Sequence, residues 1–191
     1  DEFLKKFIKY PYLHRVEHSI HCELYNMLEC SQKLNQHLDF DHTSIKQIHK
    51  EWPEYIPRQN KNNRRGNFDL AILSPESLKE YSLGDYLQGR IEAPIVIEIG
   101  LNYSMNHFLE DLVKLSNSNV YMGYLIHLSR KEMVDNDSAI ENQLLQVRDR
   151  FQNIKAGYVR HNYNSVRYKL LNENEIKTTG GSLKCQEATP K

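Results

Sequence analysis

The apolar positions of this chain follow two periods, one helical and one strand-like. Val16, Ile20, Leu24, Met27, Leu34 and Leu38 recur at helical spacing and predict a long helix from Tyr12 to about Leu38. Glu17 and Glu23 flank that stripe on opposite margins, because six residues at the helical angle place them about 120° apart. Asp41 or Thr43 is a candidate cap for a short element, but 43–52 reads as a first strand, stopped by Pro53 and Pro57. A polar, basic turn carrying Gly66 leads to a second strand, Phe68 to Leu73, which Ser74-Pro75 ends. Residues 76–90 are tyrosine-rich and irregular, with a short helix and a turn at Gly89.

Pro94 introduces a third strand, Ile95 to Leu101, whose nearly unbroken apolar run predicts a central position covered on both faces. Asn106 to Leu115 is amphipathic: Phe108, Leu109, Leu112 and Leu115 form the buried side, and His107, Glu110, Asp111 and Lys114 the polar one. A fourth strand follows at Val120 to Leu128. A helix capped by Asp137 or Ser138 then runs to about Ile154 and closes at Gly157. Two short strands, Tyr158 to His161 and Val166 to Leu171, complete the regular structure. The order predicts an α/β fold in which a central mixed β-sheet is flanked by helices. Residues 1–171 form a single domain in this reading, and 172–191 a flexible tail.

The length of 191 residues suits one domain with a sizeable core. A hydrophobic fraction of 39% with 26% charged residues is that of a soluble globular protein, and no apolar run is long enough to span a membrane. The first residues lack the layout of a signal peptide, so an intracellular location, cytoplasmic or nuclear, is expected. Cys22, Cys30 and Cys185 form no Cys-x-x-Cys and read as inert thiols. His14, His18 and His21 recur along the first helix without the wider context of a zinc motif and read as surface or packing residues. Because the formal net charge is zero, any attraction for a polyanion must be local. Arg58, Lys61, Arg64 and Arg65 supply such a cluster, with no acidic residue between Arg58 and Asp69.

The second and third strands each carry one acid, Asp69 and Glu98, among side chains otherwise fit for a core. A buried carboxylate is costly unless something pairs with it. On neighbouring strands the two would meet and repel unless protonated or bridged by a cation. All-oxygen ligands suit Mg²⁺, or Mn²⁺, with Glu17 or Glu23 contributing from the first helix. A divalent ion beside a basic loop points to phosphate chemistry, with Arg58, Lys61, Arg64 and Arg65 holding the backbone of DNA or RNA.

A helix with glutamates, a strand bearing Glu51, then Arg-Gly-Asn-Phe-Asp69-Leu-Ala-Ile-Leu and Pro-Ile-Val-Ile-Glu98-Ile-Gly100-Leu, resembles the PD-(D/E)XK nuclease superfamily over roughly residues 12–130. The resemblance implies a restriction endonuclease-like core and a Mg²⁺-dependent endonuclease that hydrolyses the DNA backbone with an activated water. Asp69 and Glu98 would match the metal-binding acids. The family's lysine should stand two positions after Glu98, where this chain has Gly100. Lys114, on the following helix, is the candidate to replace it. The other reading of Gly100 is a catalytically inactive module that binds nucleic acid or a partner protein. Specificity would then come from a partner or a homodimer, since no recognition motif for direct base readout is present.

Overall fold

The computed structural model describes residues 2–57, 64–116, 120–130, 137–161, 166–172 and 175–178. Two helices, α1 (Glu2–Lys9) and α2 (Glu17–Glu29), precede a hairpin of β1 (His37–Phe40) and β2 (Thr43–Lys46). Then come β3 (Ile48–Pro53), β4 (Asn67–Ile72), two short helices α3 (Pro75–Leu78) and α4 (Leu83–Leu87), β5 (Ile95–Leu101), α5 (Met105–Ser116) and β6 (Met122–Ser129). The chain continues through α6 (Asp137–Arg150), β7 (Ile154–His161), β8 (Val166–Asn172) and β9 (Glu175–Thr178).

Strands β3 to β9 form one sheet in sequence order, apart from the β1-β2 hairpin. Its five-stranded part, β3 to β7, is mixed: β3-β4 and β4-β5 are antiparallel, whereas β5-β6 and β6-β7 are parallel, each parallel step spanned by a helix. Strands β8 and β9 add two antiparallel steps. The fold is therefore α/β with a mixed sheet flanked by helices, and no helix among the described residues is long and apolar enough to cross a membrane.

Alternation along the central strands assigns each apolar residue to one of two layers. Val96, Ala71, Leu125 and Ala156 pack with Phe108 and Leu115 of α5 and with Ile140, Leu144 and Val147 of α6. On the other face Leu70, Ile97, Ile99, Leu128 and Val159 pack with Phe3, Leu4 and Phe7 of α1 and with Ile20 and Leu24 of α2. Glu98 shares its parity with Val96 and so falls in the first, apolar layer. Pro53 ends β3 at the sheet edge, where its missing N–H costs no ladder bond.

The long first helix is corrected by the structure. Val16 is extended and stands immediately before α2, Glu29 ends α2, and Leu38 belongs to a strand in which it alternates with buried Phe40. A separate α1 had an unread signal in Phe3, Leu4 and Phe7, all buried. The single strand predicted over 43–52 is two, β2 and β3, divided at Gln47. Asp41 and His42, both with positive φ, form the two-residue turn between β1 and β2. The Asp41 carboxylate accepts the N–H of Leu83 at 2.8 Å at the start of α4.

Gly157 does not end a helix: it lies inside β7, between Ile126 and Leu170, and Ile154 begins that strand. Strand β9 likewise extends the sheet past residue 171, into the segment read as tail. The remainder of the predicted tail, from residue 179, lies outside the described residues.

Gly89 (φ +58) ends the α4 turn against the Pro53 ring, and its carbonyl and that of Gln88 accept hydrogen bonds from Arg65. A methyl group there would press on the Pro53 ring and hold a strained backbone conformation. Gly89→Ala is expected to cost roughly 1–3 kcal/mol in urea denaturation; an unchanged midpoint would show that this turn carries no strain.

Candidate functional site

The β4-β5 ladder closes at Leu70↔Ile97, and Asp69 stands one step further on, opposite Glu98. Here the Asp69 side chain stands in for a ladder carbonyl, its Oδ2 accepting the N–H of Ile99 at 2.6 Å. Asp69 and Glu98 line one cleft of about 290 Å³, together with Asn67, Tyr103, His107, Glu110, Asp111 and Lys114. Helix α5 crosses above them. His107, Asp111 and Lys114 are spaced four and three residues apart, so they share the helix face turned to the cleft.

Lys114 is the hub of this cluster. Its amine lies 2.7 Å from Glu98 Oε1 and 3.4 Å from Asp111 Oδ1, and it donates to Asn67 O at 3.1 Å. Lys114 thus contacts Asp111 on its own helix and also reaches across to the sheet. Glu98 is only 1% exposed. Burial pushes its carboxyl well above the usual range against the pull of Lys114, and Asp69 and Asp111 push the same way. Burial also raises Asp69, opposed by His21, and Asp111, opposed by Lys114. The Lys114 ammonium is disfavoured by burial but more strongly favoured by its carboxylates, so its pKa is raised. The Lys114 ammonium thus serves two carboxyls, Glu98 and Asp111, in a cleft that Asp69 and Glu110 also line.

Gly100 has a packing reason. A Cβ at this position would meet Cδ2 of Tyr103 at 2.6 Å, so the tyrosine ring occupies the space into which a lysine would grow. The Tyr103 hydroxyl donates to Glu17 Oε1, and Glu17 Oε2 accepts the N–H of Leu101 at 2.9 Å. Glu17 therefore fastens the first turn of α2 to the end of β5. One turn on, buried His21 places Nε2 3.2 Å from Ile99 O, 3.6 Å from Asp69 Oδ2 and 3.8 Å from Glu17 Oε1. Ligand atoms of His21, Asp69 and Glu51, whose φ is +51, lie within 4.8 Å of one another.

Of the residues singled out in the sequence, the structure brings together Asp69, Glu98 and Lys114, with Glu17 beyond the Tyr103 ring. Glu23 is elsewhere, ion-paired with Lys6 and 3.4 Å from His14, because it projects toward α1, an element absent from the sequence reading. Arg65 donates to the carbonyls of Gln88 and Gly89, whereas Arg64 is exposed near the cleft-lining Gly66 and Asn67. Arg58 and Lys61 lie outside the described residues. Sequence reasoning missed Asp111, Tyr103, His21 and Glu51. The spacing of Asp111 to Lys114 and of Glu17 to His21 was the available signal.

No family model, curated protein or solved structure matches the chain. The fit of a divalent cation therefore rests on the donor set alone: Asp69 and Glu98 facing one cleft, with His21 and Glu51 close to Asp69. Oxygen ligands with one imidazole suit Mg²⁺ or Mn²⁺.

A carboxyl whose folded pKa lies above its unfolded one gives stability that is complete below the unfolded value and is lost as pH rises through the folded value. The directions at Asp69, Glu98 and Asp111 put that loss above the ordinary carboxylate range of about 4. Chelator-treated protein is expected to lose thermal stability through this cluster as the pH rises toward neutrality, and Asp111→Asn to lose less. Identical melting-temperature profiles for the two proteins would refute this.

Proposed function

We propose that this chain is a divalent-metal-dependent nuclease of the PD-(D/E)XK type, acting on the phosphodiester backbone of nucleic acid, with DNA as the expected substrate. The observation that carries the reading is the convergence of Asp69 from β4, Glu98 from β5 and Asp111 and Lys114 from α5 at the opened end of the β4-β5 ladder. Within the main sheet, antiparallel β3, β4 and β5 followed by helix α5 and parallel β6, with α2 packed on one face, support a restriction endonuclease-like core.

Asp69 and Glu98 would hold Mg²⁺ or Mn²⁺, with His21 and Glu51 adjacent. When bound, such an ion lowers the pKa of water and neutralises charge developing on the phosphate oxygens. The chain's own groups then have distinct roles. Lys114 keeps a positive charge and hydrogen-bond donors at the cleft floor, where they can orient a nucleophile or meet an anionic oxygen. It does so from α5, which supports reading Gly100 as accommodation of Tyr103 rather than lost chemistry. Asp111 holds the amine from the same helix. Arg64, exposed near the cleft, is suited to a phosphate contact that positions the strand without reading bases.

Purified protein is expected to nick DNA with Mg²⁺ or Mn²⁺ and to stop on addition of chelator. Asp69→Ala should reduce cleavage to background, and Lys114→Ala should lower it by about 10²–10⁴-fold while leaving metal binding in place. Absence of nicking with either metal on single-stranded and duplex DNA would reject a DNase. Salt-sensitive DNA binding without cleavage would instead establish the non-catalytic binding module.

A further inference from the structure

The cleft carries a feature that metal chemistry does not use. The rings of Tyr103 and His107 are stacked, with centroids 4.4 Å apart and planes inclined by 29°. Both line the cleft that holds Asp69, Glu98, Asp111 and Lys114. Tyr103 is fixed in place: its ring packs on Gly100 and its hydroxyl is bonded to Glu17. His107 is exposed, one turn before Asp111 and two before Lys114 on the same face of α5. A rigid aromatic floor thus supports an exposed, planar second layer at the cleft mouth.

We propose that this pair is a stacking platform for one nucleobase, and that the substrate is consequently a single-stranded polynucleotide. The inference rests on the nucleic-acid reading above, and the stacked pair, the size of the cleft and the position of Lys114 carry it. Stacking rewards any base, because every base has a π-face, and it requires that base to be free of its duplex neighbours. A cleft of about 290 Å³ has room on the order of one nucleotide, whereas a duplex could only lie across its mouth. Finally, His107 is the exposed member of the stacked pair, and Lys114 brings its ammonium to the same cleft from two turns further along the same face of α5, so the base belongs on His107 and the backbone toward Lys114.

The test is binding by the full chain, with Ca²⁺ replacing Mg²⁺ so that binding is read separately from cleavage. The probes are single-stranded DNA and RNA oligonucleotides of one sequence carrying 2-aminopurine, and the DNA annealed to its complement. A single strand of at least one polymer should bind with a change in 2-aminopurine fluorescence and more tightly than the duplex. His107→Ala should weaken binding about tenfold, and His107→Phe should restore it to within about twofold. The phenylalanine result separates stacking from charge or hydrogen bonding, and circular dichroism of both variants checks the fold. Equal binding by wild type and His107→Ala, preference for the duplex, or no binding of either single strand would overturn the platform. Cleavage in Mn²⁺ is scored separately. His107-dependent binding without cleavage would uphold the platform and reject the nuclease, whereas cleavage indifferent to His107 would do the reverse.

Discussion

Glu98 is an acid placed in an apolar layer, and the arrangement around the cleft follows from what that placement requires. Strand alternation puts it on the same face as Val96, against helix α5, with almost no exposure. An uncompensated charge there would cost several kcal/mol, and breaking an established buried pair typically costs about 3–5 kcal/mol. Lys114 answers that need from two turns below His107 on α5, and in doing so sets how the helix lies over the sheet. Phe108 and Leu115 of the same helix are buried in the core below it. The ion pair is therefore a constraint on register and helix rotation as much as a functional feature.

A second set of contacts ties the other helical layer to the same place. Glu17 accepts the N–H of Leu101 and the hydroxyl of Tyr103, and His21 lies between Ile99 O and Asp69. Just beyond, Asn102 takes a positive φ, donates its N–H to Leu128 O and accepts the N–H of Arg130 at 2.7 Å. The carboxyl ends of β5 and β6 are thus held by side chains as well as by ladder bonds. Backbone groups freed where β4 and β5 part company need partners, and acidic residues supply them: Asp69 for Ile99 and Glu17 for Leu101.

Much of this was legible before any coordinates. An acid within an apolar strand is conspicuous, and two such acids on neighbouring strands can meet, although the register that sets Asp69 opposite Glu98 comes from the pairing itself. Helical spacing likewise put Lys114 on a polar face that could turn toward them. What pattern could not supply was the beginning of α2. With the helix drawn from Tyr12, Glu17 and Glu23 were equivalent candidates. With α2 starting at Glu17, the first glutamate sits at the end that meets β5, and the second faces α1. Gly100 was illegible for a different reason: its cause is the ring of Tyr103 folding back after β5, a loop geometry that no periodicity encodes.

The charge balance gives these contacts a common direction. Glu98 and Asp111 share the Lys114 ammonium, and Asp69 and Glu110 line the same cleft. Burial raises all three carboxyls, against the pull of Lys114 on Glu98 and Asp111 and of His21 on Asp69. In the reading proposed above, a divalent cation would satisfy the same oxygens. A structure serving stability alone would be better served by apolar side chains at these positions, since buried ion pairs rarely outperform good hydrophobic packing. On the function proposed above, the cluster of acids is half of a site whose other half is a cation and the anionic group that the cation attracts.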